Sequence, residues 1–227
     1  MEHRPGVGER RNMKSYHKIK TLFKRDPETN YKTLINDEYS FPEFEYLANN
    51  RWVFTEKVHG MNIRIIYHDV GNLSLRGKSD AAELPRPLVH WFQTTILPQR
   101  ETFEDLFDDG PVCLYGEGYG GKIQKGGAYR PDQSFVLFDI LIGGWWLRRE
   151  DVETIGRTLG LDVVPIVAAG TLFDMVSIVR NGFGSFWNND LIAEGLVARP
   201  AVEMRRRNGD RVITKLKYKD FHPDRVS

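Results

Sequence analysis

Strand-like apolar runs recur along the chain, each interrupted by polar residues. The first two, "RWVFTEKV" and "NIRIIYH", flank a polar seam that holds Glu56, Lys57, His59, Gly60 and Asn62. We read this seam as the turn of a hairpin. Further β-rich runs follow at "LSLRGK", "VCLYGEGYG", "SFVLFDILI", "AEGLVARP" and "RVITKLKYKDF". Turn signals separate them, among them Asp26-Pro27 and Gly143-Gly144, the latter predicting a hairpin into "WWL". The segment "RPLVHWFQTTILPQRETFEDLF" predicts a helix, a break at Pro98 and a second helix. In "REDVETIGRTLG" the residues Val152, Ile155 and Leu159 share a helical face and Gly160 supplies the stop. "FDMVSIVRNG" predicts another helix, with Asp174 as its N-cap. The sum is an α+β fold dominated by antiparallel strands with flanking helices, without internal repeats or long linkers.

Composition narrows the class. The chain has 227 residues, 41% hydrophobic and 28% charged, which suits a globular protein with a sizeable core. The formal net charge of +1 leaves the question of a nucleic-acid partner to local patches. The one cysteine, Cys113, excludes an intramolecular disulfide and a multi-cysteine zinc site. It reads as a small buried apolar residue and suits a reducing, cytoplasmic setting. The opening "MEHRPGVGERRN" has no apolar core of a signal peptide, so residues 1–13 are expected to be a disordered leader, with Met13 a candidate start. Residues 14–227 are expected to form one domain. No apolar run reaches the length of a bilayer span, so no membrane partner is expected.

Single motifs decide little. A Lys57-x-x-Gly60 pair arises by chance about once in a chain of this size. Gly116, Gly118 and Gly121 spell a GxGxxG, yet a polar loop follows where a dinucleotide fold needs a helix, so we reject that reading. The order of six elements is more informative: "EKVHGMN", "LRGK", "YGEGYGG", "FVLFDI", "AEGLVAR" and "TKLK". This series resembles the nucleotidyltransferase motifs of the covalent ligase and capping-enzyme superfamily. It is most similar to the branch of ATP-dependent RNA ligases that includes nick-repairing and RNA-editing enzymes, and the likeness spans about residues 50 to 220.

The resemblance implies an ATP-grasp-like nucleotidyltransferase core and a role for each matched residue. Lys57 matches the nucleophile that forms a lysyl-adenylate, and His59, the second catalytic candidate, stands where DNA ligases and capping enzymes usually have aspartate and this RNA-ligase branch has histidine. Glu56, Asn62 and Arg76 match residues at the nucleotide, and Glu117 matches the ribose-binding glutamate. Phe138 matches the aromatic that stacks on adenine, and Lys215 and Lys217 match the pair on the α-phosphate. Glu194 matches a metal-associated glutamate; Asp139 either reaches the metal through water or holds an arginine. The implied cofactors are ATP, as co-substrate, and Mg2+ or Mn2+. The implied partner is RNA with nicked or broken ends.

These residue types suit the chemistry. A lysine amine attacks phosphorus only when neutral, and a reference pKa of about 10.4 leaves under roughly 0.1% neutral at pH 7. Nearby cations disfavour the ammonium form and also stabilise charge on the phosphoryl oxygens. Lys215 and Lys217, two apart on a strand, face one side while Leu216 faces the core. Gly60 lets the backbone turn and approach the phosphates. Basic residues flank the motifs at Lys122, Lys125 and Arg130, at Arg148 and Arg149, and at Arg205 to Arg207; we assign the first three to nucleic acid. The superfamily usually carries an OB or helical domain after the last motif, whereas only "YKDFHPDRVS" follows Lys217. The segment before Trp52, or a separate subunit, is expected to stand in for it. Alternatives are a minimal DNA ligase, a GTP-using capping guanylyltransferase, or a catalytically silent RNA-binding relative.

Overall fold

The computed structural model describes residues 14–69, 72–108, 110–124 and 126–223. The expected leader, residues 1–13, lies outside the described residues. The first strands among the described residues are short: β1 (Lys20–Thr21), β2 (Phe23–Arg25) and β3 (Leu34–Tyr39). The long central strands are β4 (Trp52–Glu56), β5 (Met61–Asp69), β6 (Asn72–Gly77), β7 (Val112–Tyr119) and β8 (Ser134–Ile142). Then come β9 (Trp145–Trp146), β10 (Asp162–Val163), β11 (Ile166–Gly170), β12 (Gly195–Pro200) and β13 (Thr214–Lys217).

Two sheets carry the fold. One runs β1-β13-β12-β4-β11; the other runs β10-β8-β7-β5-β6, with β9 added on β8. Most pairs are antiparallel, as expected, but the β1–β13 and β10–β8 edges are parallel. The fold is α+β. Strand β4 shows why the first sheet packs as it does: Trp52, Phe54 and Glu56 are buried and alternate with half-exposed Val53 and Thr55. Trp52 and Phe54 meet Leu172, Met175 and Val179 of a helix, Leu172–Asn181, laid on that sheet. On β5 the residues Ile63, Ile65 and Tyr67 enter a second core, against Leu88, Phe92, Phe103 and Phe107. Each such fully buried aliphatic contributes about 1.5–3 kcal/mol.

The seam at Lys57 is not a hairpin. Strand β4 pairs with β11 and β12, whereas β5 pairs with β6 and β7. Residues 57–60 therefore carry the chain from one sheet to the other. Gly60 has a reason besides the one expected: a Cβ there would stand 2.2 Å from the Gly118 carbonyl oxygen, so the link is pressed onto β7. The helical reading holds with two corrections. The segment after Arg86 stays coiled through Pro98, as a wide turn at Phe92–Ile96 and a tight one at Leu97–Gln99, instead of breaking. The helix Leu172–Asn181 is capped by Thr171, whose hydroxyl accepts from Asp174 N–H while the Asp174 carboxylate accepts from Thr171 N–H; Asp174 is the third residue of this reciprocal cap. The Gly143-Gly144 turn forms as expected, with both residues at positive φ.

Candidate active site

Both sheets supply a wall of one cavity. It has a volume of about 210 Å³, and Lys57, Asn62, Glu117, Phe138 and Lys215 all line it. The backbone of Lys57 is held by its N–H bonding to the Gly195 carbonyl, 2.9 Å, at the start of β12. Gly195 in turn sits opposite Lys217 in the β12–β13 register. This places one carboxylate between two ammonium groups: Lys57 Nζ is 2.7 Å from Glu194 Oε2, and Lys217 Nζ is 2.6 Å from Glu194 Oε1. Burial pushes the Glu194 carboxyl up, but Lys57 and Lys217 together outweigh it and hold the group below its usual range.

Lys215 stands in a cationic setting. Burial first, then the charges of Lys57 and Lys217, pull its pKa down to about 8. Its neighbour Leu216 is fully buried, so the alternation expected from the sequence is observed. Glu117 moves the other way. Burial raises its carboxyl to about 7, against the pull of Lys57, with the Glu194 charge adding to the rise. Asn62 lines the cavity with its Oδ1 buried and without a partner among the described residues, which leaves an acceptor for a ligand donor. Phe138 is aimed by a β-bulge. Tyr115 pairs with Asp139 and Gly116 with Leu137, so Phe138 is the extra residue of β8.

Several expected site residues sit elsewhere. Arg76 does not line the cavity; it is exposed on β6 opposite Arg64, and Lys78, two residues on, lines the cavity instead. Glu56 lies in the wall, yet its carboxylate is taken by the Ser185 hydroxyl at 2.6 Å and the Phe186 N–H at 2.9 Å, so it anchors the 185–187 loop. His59 is absent from the lining, and its backbone N–H donates to the Tyr129 hydroxyl at 3.3 Å. Asp139 holds arginine, the second of the two roles expected of it. It is fully buried, and Oδ2 accepts from Tyr16 at 2.7 Å, Arg199 at 2.8 Å and Arg211 at 2.6 Å. Two guanidinium groups neutralise that carboxylate, which leaves it the arginine-holding role. Arg130, expected on nucleic acid, is forked onto Asp132 at 2.9 and 2.7 Å, so its charge is already matched. Lys122 is exposed, and Lys125 lies outside the described residues.

Sequence reasoning missed the N-terminal wall. Tyr16, His17, Lys18 and Ile19 line the same cavity. Tyr16 packs edge-on to Phe138, with ring centroids 4.9 Å apart, while its hydroxyl bonds Asp139. His17 stacks on Tyr16 at 4.4 Å; burial, then the Arg211 charge, lowers its pKa. The signal was the mix of aromatic and basic residues in "YHKIKTLF", which has no period that points to a site.

The RNA ligase family profile matches residues 50–217. The chain belongs to the RNA ligase family. The matched span runs from the residues before β4 to the last lysine of β13, and so contains every wall of the cavity except Tyr16 to Ile19. Solved structures of the Naegleria gruberi RNA ligase share the fold. An apo mutant of it is 17% identical with a TM-score of 0.66, over 94% of this chain and 59% of that one. Its form with pyrophosphate is 17% identical with a TM-score of 0.63, over 99% of this chain and 65% of that one. A mutant with ATP and manganese is 19% identical with a TM-score of 0.62, over 81% and 54%. The chain thus spans less than two thirds of the length of these structures. Among the described residues, no helix is long and apolar enough to cross a membrane.

Proposed function

We propose that this protein is an ATP-dependent RNA ligase that works through a lysyl-adenylate on Lys57. The observation that carries the reading is the shared carboxylate: Lys57 and Lys217 bond the two oxygens of Glu194 where one cavity brings Glu117, Phe138 and Lys215 together. In the first step Lys57 Nζ forms a bond to the α-phosphorus of ATP, the α–β phosphoanhydride bond breaks, and pyrophosphate leaves. In the second, an oxygen of an RNA 5′-phosphate displaces the lysine, so that AMP passes to the RNA end. In the third, a 3′-hydroxyl attacks that end, the phosphodiester forms and AMP departs. Positioning and charge do most of this work.

Each wall residue has a part. Phe138 offers a ring face to adenine, Glu117 accepts from the ribose hydroxyls, and Lys215 and Lys217 meet the α-phosphate. Among the described residues, no three His, Cys, Asp or Glu side chains cluster to hold a metal ion. A magnesium or manganese ion carried on ATP needs only one or two carboxylates besides water and phosphate. Glu194, with Glu117 close enough to feel its charge, fits that need. When bound, such an ion draws charge from the phosphoryl oxygens. Lys57 is ion-paired to Glu194, so Glu194 must loosen its hold for the amine to reach the phosphorus.

Incubation with α-labelled ATP and manganese tests the reading. Wild type acquires acid-labile AMP, Lys57→Met acquires none, and labelled GTP gives no transfer. Sealing of a nicked duplex with an RNA 3′-hydroxyl strand, and not with a DNA one, identifies the substrate. A Lys57→Met protein labelled as strongly as wild type overturns the mechanism.

A further inference from the structure

The strand edge formed by the N-terminal segment opens a second concavity, about 920 Å³, more than four times the volume of the nucleotide cavity. The two share Lys18, Ile19 and Lys215, so one leads into the other. Eight of the fourteen residues that line this groove are lysine or arginine, and none is acidic. In a chain of net charge +1 this is a strong local excess. Lys24 is paired with Glu38, Arg25 with Asp220 and Lys217 with Glu194. Lys18, Lys20, Lys32 and Lys219 are exposed and have no carboxylate partner among the described residues.

Strand pairing holds these charges in place. β1 lies parallel to β13 with Lys20 beside Thr214 and Thr21 beside Lys215, and Leu22 N–H bonds the Lys215 carbonyl at 3.1 Å. At the groove wall stands Tyr31, 63% exposed and held at φ 61. A bulky residue in the left-handed region is uncommon, and here it presents an aromatic face next to the lysines. Like charges gathered in a groove repel one another until a polyanion neutralises them. Basic side chains along a backbone track, with an aromatic platform for a base, are what single-stranded nucleic acid requires.

We propose that this groove, built by Lys18, Lys20, Lys32 and Lys219 beside Lys215, is the docking track for the phosphodiester backbone of the RNA strand whose 5′ end is to be adenylylated, with Tyr31 stacking on one of its bases. The identity of the strand rests on the ligase reading above; the electrostatics of the groove do not. The track places a 5′-phosphate next to Lys215 and hence next to the adenylate. It assigns nucleic-acid docking to the N-terminal segment in place of the loop of Lys122 and Arg130.

The test is fluorescence anisotropy with a 5′-phosphorylated single-stranded RNA over a range of salt, run beside AMP labelling. Lys20→Ala/Lys32→Ala weakens RNA binding roughly tenfold at low salt and lowers the slope of log K against log salt by about 1.4, at about 0.7 per phosphate contact. Lys20→Arg/Lys32→Arg restores both. Tyr31→Ala weakens binding about fivefold and leaves the slope unchanged. All three label with ATP at the wild-type rate. Unchanged RNA affinity and slope in the alanine pair overturn the proposal. Labelling that falls in step with affinity also overturns it, because the groove would then hold the triphosphate. A wild type that never labels refutes the Lys57 mechanism and leaves the binding result to be read alone.

Discussion

Lys57 Nζ lies 2.7 Å from Glu194 Oε2, and the partner oxygen of that carboxylate is held by Lys217. Loss of the charge in Glu194→Gln leaves two ammonium groups facing a neutral amide beside Lys215. The variant loses about 1.5–3 kcal/mol of stability at neutral pH, the range for hydrogen bonds to charged groups. The pH dependence follows from the depressed carboxyl. An acid whose folded pKa is lowered contributes stability above its unfolded value, about 4.5, and loses it as pH falls through the folded value. Urea melts of wild type and variant therefore differ most at pH 7 and converge as the pH falls through the depressed folded value. Labelling by ATP falls at least a hundredfold.

Glu117 has the opposite sign. Its carboxyl is raised to about 7, chiefly by burial, so the folded state binds more protons than the unfolded state between about pH 4.5 and 7. Stability is present below that window and is lost as pH rises through it. Glu117→Gln removes the penalty: its Tm exceeds that of wild type at pH 8, and the gap closes only below about pH 4.5. Nucleotide binding moves the other way, with KM for ATP raised about tenfold or more if the carboxylate grips the ribose. A variant both hotter-melting and poorer at binding marks a group kept for function.

Arg76 and Lys78 separate the motif from the geometry. The motif assigned the nucleotide contact to Arg76, but Lys78 lines the cavity and Arg76 does not. Lys78→Ala raises KM for ATP about tenfold, and Arg76→Ala leaves it within twofold. Steady-state labelling over a range of ATP gives both numbers. Equal effects from the two variants contradict the observed placement.

Asp139 ties four elements together. Its Oδ2 accepts from Tyr16, Arg199 and Arg211, on the N-terminal segment, β12 and the segment before β13. Asp139→Asn takes the anion from Arg199 and leaves Arg211 with Glu203 alone, at a cost of about 3–5 kcal/mol. Tyr16→Phe removes one bond and costs about 1–2 kcal/mol. Denaturant titration measures both. Manganese dependence of labelling in Tyr16→Phe stays that of wild type, since no ligand to the ion is altered.

Much of this architecture was legible in the residues. Period-two burial in "WVFTE" and "TKLK" follows from one-sided sheets, and the "REDVETIGRTLG" helix from its apolar face. The Lys57, Glu117, Glu194 and Lys217 constellation was readable because the motifs keep their order along the chain. What escaped depends on partners far apart in sequence. Two strands separated by four residues look like a hairpin whether or not they pair, and only the neighbours β7 and β12 send β4 and β5 into different sheets. That Asp139 holds arginine shows only once Arg199 and Arg211 stand beside it. The short β1 has two residues, too few for any periodic signal, yet it brings the N-terminal wall to β13.

Gly60 gives the sharpest test of the seam. A Cβ at this position would meet the Gly118 carbonyl oxygen at 2.2 Å and the Glu117 Cγ at 2.8 Å, closer than real contacts allow. Gly60 also packs against the Glu117 side chain, so the link and the candidate ribose contact move together. In Gly60→Ala the backbone cannot compress β7, which is paired on both sides by β5 and β8. The link must lift instead, and Lys57 lifts with it. Overpacking of this kind costs about 1–3 kcal/mol, small enough for the variant to fold. A displacement of about 1 Å at the reacting nitrogen costs roughly a hundredfold in rate. Labelling at saturating ATP therefore drops about a hundredfold while the melting transition remains cooperative. A Gly60→Ala protein that labels at the wild-type rate would show that the link's approach to β7 is not what aims Lys57.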